Sequence, residues 1–275
     1  MITRAKTANW TITLLIAAGS LIVLFPLYMT VMIAVKSPAQ IAESVLAIPA
    51  EWHWSNFAEA VRMTNFGHAF KNSFIVTLLA VVLTILTNSF VGYAVARNIK
   101  KRFFKFLYYY FVSALFVPFP IIMLPIVKEM AYFNLNNHTG LIVLYVVYGI
   151  AFNMFLYVGY LRSLPTELDE AAMIDGASVW QTFWKVIFPL LGPINATVGI
   201  LTCIWAWNDF LLPLIILSKP DMATLPLAQY IFQSRFSVSY NYAFASYLMA
   251  LLPMVLVYLV AQRWIINGVV QGAVK

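Results

Sequence analysis

The sequence predicts an all-α, polytopic membrane protein with six transmembrane helices and one polar helix–turn–helix loop on the cytoplasmic side. Three observations predict it. The chain of 275 residues is 63% hydrophobic and only 10% charged, with a mean hydropathy of +0.85, which excludes an ordinary water-soluble domain. Its long apolar runs each reach the length of about 20 residues that a spanning helix needs. Its basic residues gather on one side if those runs cross alternately. Spans and short loops use the whole length, so a single membrane domain is expected over residues 1–275, with a polar loop at 163–189.

The apolar runs lie near residues 10–35, 70–96, 103–127, 140–161, 190–217 and 242–262. Each exceeds a strand in length, and the alternating pattern of a membrane β-barrel is absent, so helices are predicted throughout. Arg4 and Lys6 precede the first run as in a signal peptide, but its apolar core is too long and no small-residue cleavage pattern follows; it reads as a retained helix. If the spans alternate, Arg4, Lys6, the cluster Arg97, Lys100, Lys101, Arg102 and Lys105, then Arg162, Lys185, Arg263 and Lys275 all share one side. That side is cytoplasmic by the positive-inside rule, and both termini lie on it. The opposite loops hold Lys36, Arg62, Lys71, Lys128, Lys219 and Arg235, which are scattered. The net charge of +7 is thus accounted for by topology, and no nucleic-acid partner is needed to explain it.

The polar loop carries Glu170-Ala171-Ala172-Met173-Ile174-Asp175-Gly176 and closes at Phe188-Pro189. Leu164-Pro165 stops the preceding helix, Thr166 is placed to cap the next, and Asp169 stands at the reciprocal position of a capping box. Gly176 falls where a left-handed C-terminal residue is expected, and Ser178 with Gln181 forms a second box. Ala171, Ala172 and Gly176 allow a partner close to the backbone, while Glu170 and Asp175 supply charge. The loop reads as a docking surface.

Several chemistries are excluded. No Gly-x-x-x-x-Gly-Lys-Ser/Thr occurs, so nucleotide phosphates are not held here by a P-loop. His53, His68 and His138 are isolated and predicted in external loops as surface histidines. With one cysteine, Cys203, inside a span, neither a metal site nor a disulfide is indicated. No Gly-x-Ser-x-Gly context supports a hydrolase, and no catalytic constellation appears.

Within the fifth run lies Trp205-Ala206-Trp207-Asn208-Asp209-Phe210-Leu211-Leu212-Pro213. Asp209 is the one acidic residue placed at membrane depth, where a carboxylate normally faces a bundle interior or watery cavity. Trp205, Asn208 and Asp209 together offer the aromatic faces and polar groups of a carbohydrate path. The alternative is that Asn208 and Asp209 cap a broken helix before Pro213 and that the tryptophans pack a core.

The loop resembles the cytoplasmic EAA loop of ABC importer permeases: Glu170, Ala171, Ala172, Gly176 and Pro189 match, while Val186 and Phe188 replace the pattern's isoleucine and leucine. The Trp-Asn-Asp-Phe stretch is similar to permeases of the carbohydrate-uptake, maltose-type branch. The tail Gln262-Arg263-Trp264, Asn267-Gly268 and Gly272-Ala273-Val274-Lys275 is similar to the end of the smaller maltose-type permease subunit. The resemblance implies a bacterial inner-membrane import subunit for a sugar, in particular an oligosaccharide, coupling ATPase closure to alternating access. It implies a homologous second permease, two cytoplasmic ATPase subunits that bind ATP and magnesium, and an extracellular or periplasmic sugar-binding protein. This chain itself would be no enzyme and hold no cofactor. The motif helix would dock in a cleft on the ATPase, and Gln271 and Gly272 of the tail would make a second contact with it. A permease for a non-sugar solute and a secondary transporter remain alternatives.

Two further features have open readings. Pro118-Phe119-Pro120 and Pro125 break the third span, as a gate or as a plain kink. Trp52 and Trp54, in the connection at 36–71, suit either a lipid headgroup layer or a binding protein, and the segment at 219–240 is a second surface for such a partner.

Overall fold

The computed structural model describes residues 10–232 and 239–273, with side chains as far as Gln262. Every regular element among them is helical. The chain divides into two compact units, Met1–Phe66 with Gln229–Leu252, and Gly67–Ala228 with Pro253–Lys275.

In the first unit, α1 (Trp10–Ala34) carries no charge and becomes buried only at Met32, Ile33 and Ala34. Its apolar exterior requires a hydrocarbon surround. Two of its hydroxyls are satisfied within the helix, Ser20 Oγ donating to the Ile16 carbonyl at 2.9 Å and Thr30 Oγ1 to that of Pro26 at 2.8 Å, while Tyr28 OH donates to the Leu46 carbonyl beyond it. After α1 the chain folds back through α2 (Pro38–Glu43), opened by a Ser37/Gln40 capping box, and α3 (Ser55–Thr64). Lys36, expected as a loop cation, is instead only 1% exposed. Its Nζ donates to the carbonyls of Ser44 (2.8 Å) and Val45 (3.1 Å), satisfying a charge that has left water. Asn56 closes the same turn by donating to the Ala34 and Lys36 carbonyls, and it accepts from Asn241 of α14 (Tyr240–Ala273).

The second unit is built around α4 (Phe66–Asn98) and α7 (His138–Leu161). A Cβ on Gly92 would sit 2.5 Å from Tyr157 Cβ, so the glycine sets how closely these helices cross. Four helices, Trp10–Ala34, Phe66–Asn98, His138–Leu161 and Tyr240–Gln262, are each long and apolar enough to span a membrane. The other two predicted spans are not straight. The third is α5 (Arg102–Ser113), a tight turn at Ala114–Phe116, and α6 (Phe119–Tyr132), bent by 108°. The bend falls at Pro118, which has no N–H to continue the ladder. At the start of the fifth, Val179–Leu190, which the sequence placed in the polar loop, meets Gly192–Asn208 at 77°. The predicted run at 190–217 is broken again, with α11 (Gly192–Asn208) ending before α12 (Leu211–Ile216). Counting each bent pair as one crossing gives six.

His68 and His138 are more than bare surface histidines. Their Nε2 atoms lie 2.7 Å from the carbonyls of Asp221 and Met222. Asn72 Nδ2 also donates to the Asp221 and Ala223 carbonyls, and the Leu225 N–H, at the start of α13 (Leu225–Gln229), donates to Ser73 Oγ at 2.7 Å. The turn at Pro220–Met222 is thereby pinned to α4 and α7.

Candidate functional site

The 163–189 loop folds as helix, turn, helix: α8 (Glu167–Ile174), then α9 (Val179–Thr182), a π-helical turn Phe183–Ile187 and α10 (Phe188–Leu190). The expected capping box at its start does not form. Thr166 has helical dihedrals and no side-chain cap bond. Asp169 turns inward and is 7% exposed. Its Oδ1 accepts from Tyr93 OH at 2.6 Å, and its Oδ2 lies 2.8 Å from Arg97 Nη2. The Arg97 guanidinium also donates to the carbonyls of Leu161, Leu164 and Pro165 at 3.3, 3.1 and 3.4 Å. One cation therefore neutralises Asp169 and satisfies carbonyls freed where α7 ends, the position where positive charge is favoured. Three chain segments meet on it.

The rest of the loop follows local rules. Gly176 has φ +83°, a left-handed conformation that glycine adopts without strain. Its N–H bonds Met173 O at 3.0 Å and the Ala177 N–H bonds Ala172 O at 2.9 Å, the paired bonds of a Schellman ending. Ser178 and Gln181 form their reciprocal box. The π turn has a cause: Pro189 cannot donate to the carbonyl four residues back, and the Phe188 N–H reaches Phe183 O instead. Phe183 and Ile187 are fully buried with Tyr93, Tyr157 and Leu161, while Trp180 meets Phe90 edge-on at 5.0 Å.

Ala172 is buried at 8% exposure, so it packs against the body of this unit. Glu170, Ala171, Asp175, Gly176 and Pro189 are exposed. Beside them stand Met173, Ile174, Val179 and Trp180, of which Ile174 is 85% exposed. Sequence reasoning passed over these four. Their signal was available as apolar side chains flanking a turn glycine in a loop otherwise read as polar.

At the α11–α12 break, Trp205 and Asp209 come together and Asn208 does not join them. Asp209 Oδ2 accepts from Tyr145 OH at 3.0 Å and its Oδ1 accepts the Leu211 N–H at 3.1 Å. Trp205 packs edge-on against Tyr145 at 5.1 Å. Asn208 donates to the Ile204 carbonyl of its own helix. Trp205 and Asp209 both line a cavity of about 890 Å³. The broken helix and a mainly apolar cavity with a few polar groups in its wall thus occur at one place. At Gln271 and Gly272 only the backbone of α14, which runs to Ala273, is described, so the tail contact expected there lies outside the described side chains. Among the described residues, no cluster of His, Cys, Asp or Glu is placed to hold a metal ion.

A family described as "Binding-protein-dependent transport system inner membrane component" matches residues 88–271, which include both polar regions. The chain belongs to that family. As a binding-protein-dependent transport component it is a multi-pass inner-membrane permease and part of an importer complex, a transport subunit and not itself a catalyst. It is 40% identical to the multiple sugar-binding transport system permease protein MsmG of Streptococcus mutans, over 95% of each chain. Identity is 33% with the probable starch degradation products transport system permease protein AmyC of Thermoanaerobacterium thermosulfurigenes, over 99% of each. It is 32% with the melibiose/raffinose/stachyose import permease protein MelC of Bacillus subtilis, over 96% of each. A solved bacterial ABC transporter involved in import of the acidic polysaccharide alginate matches with a TM-score of 0.80 at 21% identity, covering 95% of this chain and 99% of that one, so the two share a fold.

Proposed function

We propose that this permease carries a sugar, in particular an oligosaccharide, into the cytoplasm as one membrane subunit of an ATP-driven importer. Its full-length relatives are named for sugar import, and the observation in the fold that carries the mechanism is the exposed acidic and apolar face of α8 and α9. That face is held at its back by buried Asp169, Ala172 and Phe183. An exposed apolar patch rimmed by carboxylates on a rigid support suits a protein partner. The partner is a pair of cytoplasmic ATPase subunits that bind ATP and magnesium. Their closure pushes on Glu170, Ala171, Asp175 and Gly176, and the 77° junction before Gly192 passes the motion into α11. Residues 1–275 act as one permease domain with both termini cytoplasmic, beside a homologous second permease and an external sugar-binding protein. Gln271 and Gly272 make a second ATPase contact, and Trp205 and Asp209 line the substrate path.

Purification of the tagged chain from its native membrane, with its companions identified by mass spectrometry, tests the assembly. Recovery of a P-loop ATPase and a second permease supports it; recovery of this chain alone, moving solute without ATP, overturns it in favour of a secondary transporter. Ile174→Glu probes the face itself. Ile174 is 85% exposed, so the chain folds unchanged, while a carboxylate in the apolar contact lowers ATPase recovery about tenfold or more, equivalent to at least ~1.4 kcal/mol. Wild-type recovery would exclude Ile174 from the interface.

The two polar residues at the α11–α12 break separate in the same assay. Asn208→Ala leaves uptake near wild type because the amide serves its own helix, whereas Asp209→Ala lowers uptake by removing the acceptor of Tyr145. Equal effects in an uptake measurement would contradict that division.

A further inference from the structure

We infer that the cavity beside α7 and α11 is a binding subsite for an uncharged saccharide, with Asn153 as its principal amide donor. The inference rests on the sugar-importer reading and deepens it by assigning a substrate contact to Asn153 and by specifying the ligand's charge.

The cavity, about 890 Å³, lies within the size range of small-molecule sites. Its wall combines Tyr148, Phe152 and Trp205 with Asn153, Thr202 and Asp209. Asn153 is 3% exposed, and its Nδ2 has no hydrogen-bond partner. Behind it, across Gly149, stand Asn88 and Thr84, 1% and 0% exposed, whose Nδ2 and Oγ1 also lack partners. A Cβ on Gly149 would lie 3.0 Å from Asn153 Nδ2 and 3.3 Å from Asn88 Nδ2, so both amides approach α7 at this glycine, and of the two Asn153 lines the cavity. In a spanning segment no bulk solvent satisfies such groups, and each buried polar atom left unpaired costs about 1–3 kcal/mol. A ligand rich in hydrogen-bonding groups repays that cost.

The donor set defines the ligand. The Asn153 amide N–H donates to hydroxyl oxygens, the Asp209 carboxyl accepts from hydroxyls, and the rings of Trp205 and Tyr148 offer faces for the apolar C–H surfaces of a sugar ring. Asp209 is the single acidic residue among the lining side chains, and no Lys, Arg or His is among them. An anionic solute would find no counter-charge there and would meet a carboxyl. Uncharged saccharides match these polar groups and the apolar surface around them, whereas a uronic acid would bring a second negative charge beside Asp209.

The test uses the whole importer purified with its partners. Proteoliposomes first identify which of raffinose, maltotriose and diacetylchitobiose the wild type accumulates with ATP. A Ser113→Cys substitution in a Cys203→Ser background then places a thiol in the cavity wall with Asn153 intact, and its labelling by N-ethylmaleimide is timed in the detergent-solubilised complex. The transported sugar at saturation should slow labelling at least tenfold, tri-galacturonate at the same concentration should not, and adding Asn153→Leu should abolish the protection. Equal labelling rates without sugar in the two backgrounds show that the cavity itself is intact. Uptake by the wild type with no protection, or protection undiminished by Asn153→Leu, overturns the inference alone. Equal protection by tri-galacturonate overturns the preference for an uncharged ligand. Accumulation of none of the three sugars overturns the sugar-importer reading and this inference with it.

Discussion

Gly176→Pro is expected to abolish ATP-driven uptake while leaving the chain in the membrane at near-normal abundance. The native φ of +83° is inaccessible to proline, whose ring holds φ near −65°. Proline also deletes the N–H that bonds Met173 O at 3.0 Å. The combined cost is about 3 kcal/mol or more, enough to displace the turn between α8 and α9. The turn lies outside the apolar spans, so insertion is spared. Gly176→Ala serves as a graded control: an added Cβ meets open space, leaving only the roughly 1–2 kcal/mol of a left-handed alanine, and uptake should fall partially. Membrane abundance by immunoblot beside uptake in vesicles decides it. Normal uptake with proline, or loss of the protein from the membrane, would refute the expectation.

The second large effect is expected at Asp169 and Arg97. Asp169→Ala leaves the guanidinium, 14% exposed at its side chain, without its counter-charge, and Arg97→Ala strands the carboxylate beside Tyr93. Breaking a buried pair from one side typically costs about 3–5 kcal/mol, whereas replacing both partners with apolar residues is often neutral. Either single variant should therefore lose thermal stability and uptake together. The double variant Arg97→Met/Asp169→Leu should recover stability in a detergent melt yet stay deficient in uptake, because no cation then ties the Leu161, Leu164 and Pro165 carbonyls to α8. Recovery of uptake along with stability would reduce the pair to a folding element.

Much of this was legible in the sequence, and what was missed has a common cause. The spans follow from hydropathy because hydrocarbon imposes it residue by residue. Gly176 and the Ser178/Gln181 box could be read because a turn and a cap are local events. Asp169 was misassigned because its partners, Tyr93 and Arg97, stand more than seventy positions away, |i−j| being 76 for the tyrosine. A short-range rule therefore gave it to Thr166. The same applies to Lys36, whose burial depends on the return of Ser44 and Val45, and to His68 and His138, whose acceptors lie 153 and 84 residues on. The kinks were half legible. Prolines marked the break at Pro118, while the end of α11 rests on Asp209 finding Tyr145 across 64 residues. In the docking loop, Glu170 and Asp175 drew attention to charge, and Ile174 and Trp180 were passed over.

The π turn at Phe183–Ile187 gives the loop a rotational phase. An α-helix advances about 100° per residue, and a π turn accommodates one residue more than that winding would. Deleting a single residue between Thr182 and Phe188 would regularise the helix and swing everything upstream through about that angle. Val179 and Trp180 would then face another direction, and α8 would follow through the Gly176 turn. The bearing of the docking face is thus set by one surplus residue in the winding, held in place by a proline that could not have continued it.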